Sequence, residues 1–299
     1  MYDLEDLIPK FPNREESLQG ISRFRRIPMI YRTNLDDHQR MVYWMTEELL
    51  ETTKGRNCSN DERLAALTLA LVHDDVEIIT GDLQYGDRLL MSDKEIQDHE
   101  DCERVAIEFL AKRFPTKING LNYRDNLLQA LYKNTSLSQR VSYADKLVGF
   151  GESWHELYSG NKHFLVDVEI GNTPTLTYMD IFRNRNEQWP LLKEMFRQKH
   201  PLLNLPKISN IVNIVADGKP FDEDSIRKKT GNPIYDCYKE VMLKRGGERG
   251  KNILLEAREE PSELSWAQLN ERIRGILPDL PNQKNLKLLQ RRLQPYVNS

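Results

Sequence analysis

Apolar residues return every three or four positions over most of this chain, and strict alternation never runs long enough to make a sheet convincing. The spacing predicts helices over 14–24, 36–53, 61–75, 93–113, 122–133 and 137–158, with one or two more in 160–200. Capping residues agree with several starts. Asn34, Asp36 or Asp37 precedes the Met41, Val42, Met45, Leu49 stripe, and Ser59 or Asn60 precedes Asp61 and Glu62. Residues 83–92 read as a loop placed to cover a substrate. Beyond Pro206 the signal weakens. Residues 210–215 suggest a short strand among Gly and Pro, and 246–250 a mobile connector, since no strand precedes this glycine-rich run and no Lys-Ser/Thr pair follows. Helical spacing resumes over 261–298. The expected class is all-α, with one unit over 1–200 and a mostly helical C-terminal extension over 201–299 whose role the sequence does not choose.

One helix breaks the rule that buried positions are apolar. The run Ala65 to Val72 ends in His73-Asp74-Asp75-Val76-Glu77, with Asp82 following Gly81. Burying so many ionisable groups is costly unless an ion or a partner compensates them, so the run points to a metal site. His38 falls in the first turn of the 36–53 helix, and Asp145 sits beside the Val141, Ala144, Val148 stripe. Two imidazoles and two carboxylates suit a divalent first-row ion better than a soft thiolate metal, and leave positions open for water and substrate. Glu77, four residues after His73 and three after Asp74, shares their side of a helix.

The order His38, then His73-Asp74, then Asp145 resembles the HD superfamily of metal-dependent phosphohydrolases. It is closer still to the bacterial 5′-deoxynucleotidase branch, on three segments: Arg26-Ile27-Pro28, His73-Asp74-x-x-Glu77-x-x-Thr80-Gly81-Asp82-Leu83, and Ala144-Asp145. The likeness spans roughly residues 20–195. It implies an HD helical bundle and one divalent ion (Mn, Co, Zn, Fe, Ni or Mg) on His38, His73, Asp74 and Asp145, lowering the pKa of a bound water. It makes Glu77 the residue that orients or deprotonates that water. Asp82 would hold the water, assist the leaving oxygen or position the outer shell. Arg26 would grip phosphate with its guanidinium fork. Ile27 stands where this branch carries an aromatic residue against the sugar, and the Arg26–His38 spacing is shorter than the family's, so Arg23, Arg25 and Arg32 are rival phosphate contacts. Tyr85 and Arg88 are further substrate candidates in the 83–92 loop.

The implied activity is removal of the 5′-phosphate from (deoxy)nucleoside monophosphates. The alternatives are (d)NTP triphosphohydrolase or pyrophosphohydrolase chemistry at the same centre, cyclic-nucleotide hydrolysis as a weaker third, and a nucleotide-sensing module on the same fold. A homodimer is the default by resemblance. Among other residues, His99 reads as exposed in a charged run, His155 and His163 as lining a pocket mouth, His200 before Pro201 as structural, and Trp44 and Trp154 as core.

Composition narrows the rest. A net charge of −3 over 299 residues, 30% of them charged, argues against a nucleic-acid surface. The basic run Arg272 to Arg292 reads as a solvated face. No 18-residue apolar stretch or basic leader is visible, and Cys58, Cys102 and Cys237 lack metal spacing. A cytoplasmic protein with reduced thiols and no membrane partner is expected.

Overall fold

The helix that carries His38 begins where the Asn34 side chain accepts a hydrogen bond from the Asp37 N–H at 2.9 Å, with Asp36 and Asp37 in its first turn. The computed structural model describes residues 3–25, 27–83, 88, 91–165, 178, 181–204 and 232–259. Its α-helices are α1 (Leu4–Leu7), α2 (Arg14–Gln19), α3 (Leu35–Thr53), α4 (Asn60–Val72), α5 (Glu77–Thr80), α6 (Asp93–Arg113), α7 (Tyr123–Tyr132), α8 (Ser136–Tyr158), α9 (Arg185–Gln188) and α10 (Pro233–Leu255). The strands of the described residues are a two-residue antiparallel pair, Lys117–Ile118 with Leu121–Asn122. The chain is mostly helical, as the periodicity predicts.

Local chemistry sets the helix ends. Ser59 caps α4 through the Glu62 N–H, and Ser92 with Glu95 and Thr135 with Ser138 form reciprocal capping boxes on α6 and α8. Two expected ends move inward. α2 stops at Gln19 rather than 24, because the chain turns back and Ser22 bridges to Asn34. α4 stops at Val72 rather than 75, and the next residues form a tight turn that feeds α5.

α3 packs against α4, α8 and α10, and α8 also packs against α4 and α10. Met41, Met45 and Leu49 of α3 meet Leu67 and Leu69 of α4 and Val141, Leu147 and Val148 of α8 in one apolar core, where Trp44 and Trp154 are also buried. Residues 246–250 are helical rather than a connector. They belong to α10, which kinks at Gly247 (φ 54°), a left-handed conformation that favours glycine. Beside it, a Cβ on Gly246 would lie 2.8 Å from the Trp44 ring, so glycine permits the approach of α10 to α3. The contact is edged with charge. Arg245 meets Glu47 at 3.0 Å and Glu48 at 2.7 Å, Arg249 meets Asp36 at 2.5 Å and Asp37 at 2.9 Å, and Arg258 meets Asp37 at 2.8 Å. The strand expected at 210–215 and the helices over 261–298 lie outside the described residues. Among the described residues no helix is long and apolar enough to cross a membrane.

His155 docks α8 on α10 rather than lining a pocket mouth. Its Nε2–H donates to the Leu254 carbonyl at 2.8 Å, and Nδ1 lies 2.9 Å from the Tyr235 hydroxyl. Burial, the main cause, pushes its pKa from 6.5 down to about 4. Above pH 6.5 neither folded nor unfolded chain protonates this ring; between 6.5 and 4 only the unfolded chain does. Stability should therefore fall by about 3 kcal/mol as pH drops through that window. Urea unfolding at pH 7.5 and pH 4.5 checks this, and His155→Gln should flatten the difference; an equal slope in both proteins would refute it. His163 is also buried and its N–H donates to Asn161 Oδ1, and His200 accepts from the Leu202 N–H as a structural cap.

Candidate metal centre

Three helical segments deliver the donors. His73 caps the C-terminus of α4, and its Nδ1 lies 2.8 Å from the Ala70 carbonyl. A carbonyl can only accept, so Nδ1 carries the hydrogen, and in the neutral ring Nε2 turns a lone pair toward Asp74, whose Oδ2 is 3.2 Å away. His38, fully buried in the first turn of α3, places Nε2 3.1 Å from Asp145 Oδ1 on α8 and 3.5 Å from Asp74 Oδ2. Ligand atoms of His38, His73 and Asp74 all lie within 4.8 Å of one another. The second oxygen of Asp145 pairs with Lys146 at 2.7 Å.

These residues fit a divalent cation. The His73 Nε2 lone pair and the Asp74 carboxylate are both acceptors, they face each other, and Nε2 is buried without a hydrogen-bond donor. Such a pair repels unless a proton or a cation stands between. Separations of 3.1–3.5 Å also match neighbouring ligands around an ion at about 2.1 Å, which sit about 3 Å apart. Burial, and then Arg23, lower the His38 pKa and keep the ring neutral, as a ligand requires. Burial opposes charge on Asp74 and Asp145 as well, yet both stay ionised: His73 and His38 draw Asp74 down to about 2, and Lys146 and His38 hold Asp145 well below the usual range. Asp74 and Asp145 likewise overcome burial to raise His73.

Asp75, the third acid of the run, does different work. It is completely buried and turned away from the histidines. Arg14 donates to both its oxygens at 2.7 and 3.0 Å, Gln39 at 3.0 Å and Tyr123 at 2.9 Å, while Arg14 also donates to the Leu71 carbonyl at 2.5 Å. This network fixes the turn that carries His73 and Asp74. Sequence reasoning gave Asp75 no such role.

Glu77 opens α5 beside the centre, with Oε2 buried and without a hydrogen-bond partner among the described residues. Burial, with Asp74 and Asp82 nearby, raises its pKa well above the carboxylate range. Asp82 follows Gly81 (φ 74°) and is likewise raised, by burial and Asp74 against the pull of Arg23. Glu152 Oε2 lies 3.3 Å from Arg23, whose Nε is buried without a partner. Arg25 is exposed and donates to the Asp82 carbonyl at 2.8 Å. Arg32 is consumed elsewhere, by Glu259 and the carbonyls of Arg23, Phe24 and Ile27. Of the three rivals, only Arg23 combines burial with a free donor. Arg26 and Tyr85 lie outside the described residues. Ile27 is buried in the core and does not line the cavity described next.

A cavity of about 530 Å³ opens beside the centre. His73, Asp74, Glu77 and Asp145 form one part of its wall; Arg88, His99, Glu100, Glu103, Lys133 and Lys146 form another. His99, expected to be exposed, is half-buried and lies 3.6 Å from Glu103, one helical turn on; that i, i+4 spacing was its only sequence signal. Arg88 reaches Glu100 at 3.3 Å.

The 5′-deoxynucleotidase YfbR-like family profile matches residues 11–174, more than half of the chain. The chain belongs to this HD-domain family of phosphohydrolases. Comparison with curated proteins gives no match.

Proposed function

We propose that the protein is a metal-dependent phosphomonoesterase that removes the 5′-phosphate of nucleoside monophosphates, the deoxy forms preferred. The observation that carries this reading is the convergence of buried His38 with His73, Asp74 and Asp145, the last three lining one cavity together with Glu77. His38, His73, Asp74 and Asp145 would hold the ion, which when bound supplies a charge sink for phosphoryl oxygens and acidifies a coordinated water. With a cation held by those residues, Glu77 would take its carboxylate form and could accept the proton of the attacking water. A bond forms between the water oxygen and phosphorus, the P–O5′ bond breaks, and Asp82 returns a proton to the departing nucleoside oxygen. Arg26, by the family likeness, and Arg23, by position, are the phosphate contacts; Tyr85 is a candidate for the nucleoside on sequence grounds.

The cavity size suits a ligand with a nucleoside. On the Glu100 and Glu103 side two of its cationic side chains stand beside anions, Arg88 with Glu100 and His99 with Glu103. That balance suits a neutral nucleoside better than a chain of phosphates, which favours the monophosphate over triphosphate chemistry.

Incubation with dAMP, dGMP and dTMP in Mn²⁺ or Co²⁺ should release orthophosphate, and His73→Ala or Asp74→Ala should abolish it. Release of triphosphate or pyrophosphate from dNTPs would favour the second reading. No product from any nucleotide across several divalent ions would end the first, and protein purified without bound metal would favour a sensing module.

A further inference from the structure

Lys133 ends α7 in the left-handed region, with φ 50° and ψ 36°. This conformation disfavours residues with a Cβ, and helix ends of this kind usually carry glycine or asparagine. The backbone is held there from both sides. The Lys133 N–H donates to the Gln129 carbonyl at 3.0 Å, and its own carbonyl accepts from Gln139 Nε2 at 3.0 Å. Only Asn134 separates it from Thr135, whose capping box starts α8, the helix of Asp145. The side chain lines the same cavity as His73, Asp74, Glu77 and Asp145. Its ammonium feels attraction from Asp145, Asp74 and Glu103 and repulsion from Lys146 and Arg88, and forms no ion pair with a carboxylate among the described residues. Lys146 is tied to Asp145 and Arg88 to Glu100, so both neighbouring cations are already neutralised. A strained backbone that holds an uncommitted cation beside the reaction centre is the pattern of a ligand contact.

We propose that Lys133 is a substrate-binding residue that holds the phosphate of the nucleotide in the cavity lined by His73, Asp74, Glu77 and Asp145. The proposal rests on the phosphomonoesterase reading for the identity of the ligand, but not for the presence of an anion site. A lysine suits the task because a single mobile ammonium can follow a phosphate as charge redistributes over its oxygens, while the fixed backbone limits its reach.

Two substitutions separate this role from a structural one. Lys133→Gly relieves the left-handed strain, so its Tm should rise by roughly 2–4 °C. The same variant should raise KM for dAMP by about tenfold or more, with a smaller change in kcat, and Lys133→Arg should recover most of the loss. Inorganic phosphate, tested in Mn²⁺-loaded protein by thermal shift, should stabilise the wild type and the Arg variant more than the Gly variant. An active wild type whose Gly variant keeps KM within twofold and keeps its phosphate-induced shift would overturn the proposal and leave the nucleotidase reading intact. A wild type inactive on every phosphomonoester but stabilised by phosphate through Lys133 would retain the anion site and remove the nucleotidase reading. Equal phosphate shifts in all three proteins would refute the anion site whatever the activity.

Discussion

Glu77→Gln should lower turnover by about 10²–10⁴-fold while the protein keeps its full complement of metal. The amide has the size of the carboxyl, so the α5 turn keeps its shape, but it cannot take a proton from water. Stability should move the other way, or not at all. In metal-free protein the Glu77 carboxyl is already pushed toward its neutral form by burial and by Asp74 and Asp82, so a neutral isostere removes repulsion rather than an attraction. The combination is diagnostic: lost phosphate release, unchanged metal by elemental analysis, and a metal-free Tm equal to or above the wild type's. Turnover within fivefold of wild type would remove Glu77 from the proton-transfer role.

Asp75→Ala should cost about 3–5 kcal/mol of folding stability, the penalty for breaking a buried ion pair from one side. Arg14 and Asp75 are 2% and 0% exposed, and the substitution would leave a guanidinium in the core with only Gln39 and the Leu71 carbonyl to accept from it. Tyr123 would lose its acceptor as well. The apolar pair Arg14→Met with Asp75→Leu should recover much of the loss, since it removes both charges together. Urea denaturation of the three proteins measures this. A loss below about 1 kcal/mol in the single variant would show that water reaches Arg14 and that the network is not closed.

The sequence spoke most clearly where a local rule was violated. Carboxylates and imidazoles in a run that packing would fill with leucine marked the 73–82 segment, and the Asn34, Ser59, Ser92 and Thr135 caps set the starts of the helices that converge on it. The same run could not reveal that neighbouring acids diverge. Asp74 faces the histidines while Asp75 turns into the core, because their directions depend on a tight turn where α4 was expected to continue. The arginines of 23–32 show a similar limit. Their spacing names four candidates, but Arg32 is committed to carbonyls and Glu259, far away in sequence. Lys133 had no signal at all, since a left-handed cap on a lysine contradicts local preference and only the α7–α8 junction requires it. Gly246-Gly247 looked like a flexible link, yet a close approach to Trp44 and a kink within a helix make the same demand for glycine.

The arginine contacts of α10 bear on how portable the HD segment is. The family match ends at residue 174, yet Asp36 and Asp37, the residues immediately before His38, take counter-charges from Arg249 and Arg258. Both aspartates are buried, so a segment grafted away from its own tail would leave Asp36 with Arg40 alone and Asp37 without either arginine, next to the first candidate ligand. In this chain the family segment is therefore tied by charge to the sequence that follows it.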